Sequence, residues 1–201
     1  MKIVGILGGV GSGKSTIGRL FEELGAVRLD ADRLGHEVLR EVEVRDAIRL
    51  EFGSGVFDTE GWIDRPRLAK MVFEPGEVGA NRLRALERIT HPRIAVRIQE
   101  ELDRLRGVGA EIVILDAPVL LKAGWDRLCD HLIFVEASDE QRMQRVAERG
   151  WTQQQWRQRE AAQESLDEKR GRCDVTISNE GDLRQAREQV ASWFRRWSTD
   201  S

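Results

Sequence analysis

The feature that most constrains the fold is a glycine-rich loop near the start of the chain, Gly8-Gly9-Val10-Gly11-Ser12-Gly13-Lys14-Ser15. It satisfies G-x-x-x-x-G-K-[ST], a pattern whose backbone N–H groups surround phosphates and whose lysine reaches the outer ones. An apolar run over 2–7 precedes the loop, and an amphipathic stripe over 17–24 follows it, so the loop would open a helix. The sequence therefore predicts a nucleotide phosphate site. The residues expected to bind it are Gly8, Gly9, Gly11, Ser12, Gly13, Lys14, Ser15 and Thr16, with Ser15 also a magnesium ligand.

Five short apolar runs predict the strands of a sheet, over 2–7, 26–29, 111–115, 131–135 and 175–178. Several are continuous rather than alternating, as parallel strands covered on both faces require. Helical stripes lie between them. We expect one over 94–105 to begin at Pro92 and end at Gly107, and another to run from Leu183 to Trp197. This alternation predicts an α/β fold with a doubly wound, five-stranded parallel sheet.

The spacing of these runs predicts three parts within a single domain of 201 residues. The core takes residues 1–32, 109–138 and 173–201. Residues 33–108 are more than a plain crossover needs, and they predict an inserted helical substrate-binding subdomain. Residues 139–172 carry seven arginines and few apolar anchors, which predicts an exposed, mobile helical pair acting as a lid. A solvated hairpin without a role is the alternative.

Composition narrows the class of protein. Lys and Arg total 32 against 35 Asp and Glu, for a net charge of −3, which argues against a dedicated nucleic-acid binder. No apolar run approaches the ~20 residues of a membrane span. Two cysteines make no disulfide framework, so we expect a cytoplasmic monomer or weak homo-oligomer. Neither asparagine begins an Asn-Lys-x-Asp guanine reader, which favours ATP over GTP.

Acidic residues follow two of the predicted strands. Asp116 ends the third, where we expect it to hold the magnesium shell directly or through water. Asp30 and Asp32 follow the second, and strand ends line the ligand crevice of a doubly wound sheet. We expect Asp32 to accept a proton from an attacking hydroxyl, and Asp30 to be a supporting or helix-capping group. His91 lies between two predicted helical runs, and the residues alone leave a structural role and a substrate contact equally open.

The ordered set of motifs resembles the dephospho-coenzyme A kinase family over nearly the whole chain. Besides the glycine loop, it rests on Asp30-Ala31-Asp32, Gly61-Trp62-Ile63-Asp64-Arg65, Leu68, Val72-Phe73, His91-Pro92, Asp116-Ala117-Pro118-Val119-Leu120-Leu121, Arg145, Arg149, Gln163, Lys169, Cys173-Asp174 and Asn179. The resemblance implies a P-loop kinase core with a helical coenzyme-A-binding subdomain and a lid. It implies Mg²⁺, ATP as donor, and transfer of the γ-phosphoryl group to the ribose 3′-hydroxyl of dephospho-coenzyme A, the final step of coenzyme A biosynthesis.

The resemblance also implies roles for single residues. The catalytic groups would be Asp32, Lys14 and Arg145. The acceptor contacts would be Asp32, Arg65, His91 and Asp116. Arg145 and Arg149 would meet the ATP phosphates, and Asn179 would belong to the adenine-side loop.

Two positions depart from the family pattern. Lys122 follows the Leu-Leu pair near the place where an acidic residue is usual, and Arg142 stands where Gln is common. Two other functions stay open: a P-loop kinase for another small metabolite, such as a nucleoside monophosphate, and a nucleotide-binding regulatory protein that has lost catalysis. Lys122 is the feature that favours the second.

Overall fold

A computed structural model describes residues 1–161 and 163–199, and within these ranges the chain forms five parallel strands. They are β1 (Lys2–Gly8), β2 (Val27–Asp30), β3 (Ile112–Asp116), β4 (His131–Glu136) and β5 (Val175–Ser178). Their order in the sheet is β2-β3-β1-β4-β5. Each strand lies within one residue of its predicted run, and the predicted α/β fold class is confirmed.

The central strand β1 carries the chain into the glycine loop. Its side chains are buried from Ile3 onward, because β3 and β4 flank it and helices cover the sheet. In the register of the sheet, Asp116 lies opposite Ile6 of β1 on one side and opposite Asp30 of β2 on the other. Two carboxylates therefore share the edge of the sheet at which the loop begins.

The helices follow in chain order. They are α1 (Lys14–Glu22), α2 (Ala31–Val38), α3 (Val42–Phe52), α4 (Arg65–Val72), α5 (Glu77–Gly107), α6 (Asp139–Ala147), α7 (Gln153–Ala161), α8 (Leu166–Gly171) and α9 (Leu183–Thr199). Short 3₁₀ turns lie at Ser54–Val56 and Trp125–Leu128. The chain divides into two compact units, one of residues 31–101 and one of residues 1–30 together with residues from 102 onward.

The unit that contains the sheet is held together by aliphatic and aromatic packing. Phe21 of α1 and Val190 of α9 are fully buried in its core. Trp197 stacks on Phe21 with ring centroids 6.0 Å apart, and on His131 at 5.1 Å. Full burial of such a side chain stabilises a fold by about 1.5–3 kcal/mol, so α9 is a structural element of the sheet unit.

Residues 31–101 form a helical unit with a core of its own. Leu34, Val38, Ile48 and Leu68 are buried within it. The start of α4 is fixed by its cap, because the Asp64 carboxylate accepts the backbone N–H of Arg67 at 3.0 Å.

One predicted helix boundary is wrong. Pro92 does not begin a helix but lies inside α5, which also contains His91. Proline in a helix interior lacks one backbone hydrogen bond and costs about 3 kcal/mol. The buried stripe of α5 continues across this position, from Ala85 before it to Ile94 and Ile98 after it, and that burial offsets the cost.

Cys129 and Cys173 are both free thiols, and burial raises the pKa of each to about 12, which keeps them protonated. Within the described part of the chain, no helix is both long enough and apolar enough to cross a membrane.

Candidate active site

The glycine loop forms a cradle, defined here as residues 8–15, between β1 and α1. Gly13 is the N-cap of α1 with φ 93°, and Gly11 has φ 84°, so both adopt the left-handed conformation that favours glycine. A β-carbon on Gly13 would collide with the side-chain amide of Asn179. The first N–H groups of an α-helix have no acceptor one full turn earlier, which makes this end of α1 suited to an anion. In α1, the N–H of Thr16 already donates to the Gly13 carbonyl at 2.9 Å.

Lys14 lies folded back along the cradle. Its Nζ donates to the carbonyl oxygens of Gly8 at 2.9 Å and Gly9 at 3.0 Å. Burial, and then the nearby charge of Lys169, lower the pKa of Lys14 to about 8, although Asp116 and Glu160 oppose the shift. An anion bound in the cradle would stabilise the charged form of Lys14 and so raise its pKa again.

Arg145 and Asn179 both contact the Ser12 carbonyl, at the end of the cradle that leads into α1. The Arg145 guanidinium donates to the carbonyl oxygens of Ser12 at 3.1 Å and Asn179 at 2.7 Å. Asn179 follows β5, and its buried amide donates to the same Ser12 carbonyl at 2.8 Å. An open cleft of about 370 Å³ lies beside them, lined by Gly13, Thr16, Arg145, Glu148, Arg149, Asn179, Gly181 and Leu183. The structure therefore brings Arg145, Arg149 and Asn179 together beside Gly13, and the ATP contacts expected of them stay predictions.

The predicted magnesium residue Asp116 has a partner that sequence reasoning missed. Arg28, in β2, donates two hydrogen bonds to the same carboxylate oxygen of Asp116, Oδ2, at 2.6 Å and 3.2 Å. Within residues 1–161 and 163–199, no group of three or more His, Cys, Asp or Glu side chains could hold a metal ion. Magnesium commonly binds through one or two protein groups plus phosphate oxygens, and the donor set of Ser15 and Asp116 fits that chemistry.

The segment expected to be an exposed, mobile helical pair is different in the structure. Its described residues, 139–161 and 163–172, form three helices, α6, α7 and α8, and the indole of Trp156 contacts the cradle. Arg142, Trp156 and Lys169 are buried in it, and Lys169 donates to Gln163 at 2.7 Å. Periodicity could not predict this burial, because one indole and long cationic side chains take the place of an apolar stripe.

The helical unit of residues 31–101 has a cleft of its own, of about 460 Å³. Its lining residues are His36, Leu39, Arg40, Asp58, Trp62, Ile63 and Arg65. Arg65 begins α4, and its guanidinium lies 2.5 Å from Nε2 of His36, a residue that sequence reasoning missed. The Asp58 carboxylate accepts backbone N–H groups of Glu60 and Trp62, which orders the turn before α4. Two arginines, Arg40 and Arg65, lie beside apolar side chains in this lining, and they suit an anionic, partly apolar ligand.

The remaining predicted residues lie elsewhere. Asp32 is exposed in the first turn of α2, two residues after β2 ends. His91 lies in the middle of α5 and is not among the residues that line the cleft of the helical unit. Lys122 is exposed in the turn after β3. The roles given to these three residues stay predictions.

A lysine-bearing phosphate cradle at the end of the central strand of a parallel sheet, with arginine contributed by a neighbouring helix, defines a P-loop kinase. The sequence profile of the dephospho-CoA kinase family matches residues 2–185, and the chain belongs to that family. It is therefore an ATP-dependent kinase that phosphorylates dephospho-CoA in the final step of coenzyme A biosynthesis. The resemblance inferred from the motifs is confirmed.

Individual relatives agree with the family assignment. The dephospho-CoA kinase of Symbiobacterium thermophilum is 39% identical over 198 residues, which cover 96% of this chain and 80% of that protein. A Thermus thermophilus protein of known crystal structure is 32% identical with a TM-score of 0.81, over 97% of both chains. The dephospho-CoA kinase of Campylobacter jejuni is 21% identical with a TM-score of 0.65, over 98% of both chains, a likeness that shows the fold alone.

Proposed function

We propose that this chain transfers the ATP γ-phosphoryl group in line to the ribose 3′-hydroxyl of dephospho-coenzyme A, in the cytoplasm, as a monomer or weak homo-oligomer that binds neither nucleic acid nor membrane. The observation that carries the proposal is the Lys14 ammonium, buried in the cradle and bonded to the carbonyl oxygens of Gly8 and Gly9. Since its pKa is lowered in the free protein, the site is prepared for the negative charge of a triphosphate.

The cradle, including the end that leads into α1, would hold the nucleotide. Backbone N–H groups of residues 11–16 would bind phosphate oxygens, with Lys14 at the β and γ positions. Arg145 would neutralise charge on the phosphates, because it already lies on the Ser12 carbonyl at the cradle wall. Arg149 and Asn179 line the cleft beside Gly13. We assign Arg149, with Arg145, to the ATP phosphates and Asn179 to the adenine side.

Ser15 and Asp116 would hold Mg²⁺, either directly or through water. Arg28 donates both of its hydrogen bonds to Oδ2 of Asp116. We assign the other oxygen of this carboxylate, Oδ1, to the coordination of Mg²⁺. When bound, Mg²⁺ would offset the negative charge that develops on the phosphates during transfer. Arg28 would keep the Asp116 side chain directed along the edge of the sheet.

The cleft of the helical unit would receive the acceptor. Arg40 and Arg65 match the diphosphate of dephospho-coenzyme A in charge, and Trp62 with the neighbouring aliphatic side chains matches its apolar arm. Arg65 is the residue to test, because it opens α4 and contacts His36.

Asp32 would orient the 3′-hydroxyl and accept its proton. In the transfer step, the 3′-oxygen bonds to the γ-phosphorus, the bond from that phosphorus to the bridging oxygen breaks, and ADP leaves. Lys14 and Arg145 would stabilise the leaving charge. Closure of the lid over the cradle would exclude water, which otherwise competes as the acceptor.

A coupled assay of ADP release with ATP and Mg²⁺ tests the proposal, with dephospho-coenzyme A in one arm and adenosine monophosphate in the other. We expect ADP release in the arm that contains dephospho-coenzyme A and none in the arm that contains adenosine monophosphate. The acceptor should gain one phosphate at its 3′ position.

Arg65→Met should raise KM for dephospho-coenzyme A and leave KM for ATP within about twofold. Turnover with adenosine monophosphate instead, or equal effects of Arg65→Met on both KM values, would refute the assignment.

A further inference from the structure

Two side chains of α7 hold a single residue of the cradle, Val10. The Glu160 carboxylate accepts the backbone N–H of Val10 at 2.8 Å. The indole Nε1 of Trp156 donates to the backbone carbonyl of Val10 at 3.1 Å. Both polar backbone groups of Val10 are therefore bonded to the lid, across about 150 positions of sequence. The conformation of the cradle at this point depends on α7.

Arg142 joins this contact from α6. Its side chain is 3% exposed, and it donates to Glu160 at 2.6 Å and to Asp139 at 2.6 Å. The guanidinium also lies over the Trp156 ring, 5.2 Å from its centroid. A buried charge is stable only when it is paired and hydrogen-bonded, so Arg142 fixes α6 to α7 through Glu160.

Arg142 also contacts the glycines on either side of Val10. A β-carbon on Gly9 would collide with its guanidinium, and one on Gly11 would lie 2.5 Å from its carbonyl oxygen. These glycines allow α6 to approach the cradle closely. Helix α6 carries Arg145 less than one turn further along, where it bonds to the Ser12 carbonyl. A shift of α6 would therefore move Arg145 as well.

Gly9 and Val10, which these lid residues contact, lie in the part of the cradle that would bind the β- and γ-phosphates. Lys14 rests on the carbonyls of Gly8 and Gly9, directly before Val10, and a lysine at this position reaches the β- and γ-phosphates. Misplacement of a reacting group by about 1 Å can cost about 10²-fold in rate. A lid that loosened at Val10 would also let water reach the γ-phosphate.

We propose that Arg142, Trp156 and Glu160 form a positioning clamp, which holds the lid on Gly9 and Val10 so that the γ-phosphoryl group passes to the acceptor and not to water. The three residues act through the cradle backbone and through α6. They are positioning residues, since none of them is required to touch the reacting atoms. The proposal rests on the phosphotransferase function above and adds the device that couples lid closure to transfer.

Glu160→Leu in the full chain tests the clamp, because it removes both the acceptor of the Val10 N–H and the partner of Arg142. We expect two changes. Transfer kcat should fall by up to about 10²-fold. ADP release without acceptor, divided by ADP release with it, should rise by about tenfold or more, since the lid no longer excludes water. Glu160→Gln keeps one oxygen, which can accept the Val10 N–H, but it loses the charge that pairs Arg142, so its losses should be smaller than those of Glu160→Leu without being zero.

Hydrogen exchange at the Val10 amide gives a readout that does not depend on activity. In ligand-free protein, this amide should exchange faster in Glu160→Leu than in the wild type. Glu140→Leu is the matched control, because Glu140 is an exposed acid in the first turn of α6. Trp156→Phe keeps an aromatic ring without the donor, and it replaces Glu160→Leu if that variant does not fold.

Three results would overturn the clamp. The first is Val10 exchange in Glu160→Leu equal to that of Glu140→Leu. The second is an unchanged ratio of hydrolysis to transfer in a folded variant. The third is a loss of rate in Glu160→Gln as large as in Glu160→Leu. Loss of transfer in the wild type itself would instead refute the proposed function, and it leaves the exchange test valid.

Discussion

The side-chain amide of Asn179 donates a hydrogen bond of 2.8 Å to the carbonyl oxygen of Ser12, and it joins the end of β5 to the phosphate cradle across 167 positions of sequence. Arg145 binds the same carbonyl at 3.1 Å and the Asn179 carbonyl at 2.7 Å. Two segments that are distant from the loop in sequence therefore converge on one of its peptides, and each of them should influence nucleotide binding.

Asn179→Ala should weaken ATP binding and lower stability. Loss of a buried hydrogen bond that leaves a carbonyl less satisfied costs about 1–3 kcal/mol. We expect a similar loss in the free energy of unfolding and a rise in Kd for ATP, with little change in KM for dephospho-coenzyme A. Denaturant unfolding and ATP titration measure the two effects. Asn81→Ala, at the other asparagine of the sequence, is the control. A variant that binds ATP as tightly as the wild type would remove Asn179 from the site.

Gly13→Ala should damage the cradle for two separable reasons. Alanine at φ 93° is strained, and its β-carbon would also collide with the Asn179 amide. Gly124→Ala isolates the strain, because Gly124 is left-handed at φ 71° and has open space around its β-carbon position. The left-handed conformation costs about 1–2 kcal/mol for a non-glycine residue. We expect Gly124→Ala to lose about that much stability and keep ATP binding.

Gly13→Ala should lose more stability than Gly124→Ala, and it should lose ATP binding as well. Thermal unfolding and ATP titration of the two variants provide the comparison. Equal stability losses, together with intact ATP binding in Gly13→Ala, would show that the contact with Asn179 is not tight.

Local pattern was enough to predict the sheet and the cradle. Continuous apolar runs identify parallel strands, and the spacing of glycines before Lys14 is enough to predict the conformation of the loop. The prediction that a helix begins at Pro92 was wrong, because the burial of Ile94 and Ile98 outweighs the helix-breaking preference of proline. The bonds from Trp156 and Glu160 to Val10 could not be predicted, since nothing in the local sequence of either residue indicates a partner about 150 positions away.

Asp32→Asn should lower kcat far more than it raises KM for ATP. The amide is nearly isosteric, but it cannot accept the proton of the 3′-hydroxyl. General-base catalysis contributes about 10²–10⁴-fold, and a largely dissociative transition state favours the lower end of that range. Steady-state kinetics in both substrates, with ATP titration of the variant, measures the effect.

Asp30→Asn is the matched control for Asp32, because Asp30 is an acidic residue only two positions earlier, where it ends β2 opposite Asp116. We expect it to lose much less kcat than Asp32→Asn. A near-normal kcat in Asp32→Asn would exclude Asp32 as the base, as would a collapse of its ATP affinity.

ATP binding should draw a proton onto Lys14 near pH 8. Burial and the charge of Lys169, and to a smaller degree Arg142, lower the pKa of Lys14 to about 8, whereas Asp116 and Glu160 act in the opposite direction. Lys14 therefore carries its charge below that pH and loses it as the pH rises through about 8. Bound phosphates favour the charged form, so the pKa must rise on binding and protons must be taken up.

Calorimetric titration of ATP in two buffers of different ionisation enthalpy measures this uptake. With a free-protein pKa of about 8, half of the lysine is neutral at pH 8, so we expect uptake of about 0.5 proton there and almost none at pH 6.5. Above pH 8, the affinity for ATP should fall as the pH rises. Lys14→Arg should abolish the uptake, because a guanidinium stays charged throughout this range. Uptake that persists unchanged in Lys14→Arg would assign the proton to another group, such as Lys169, and would contradict the prediction.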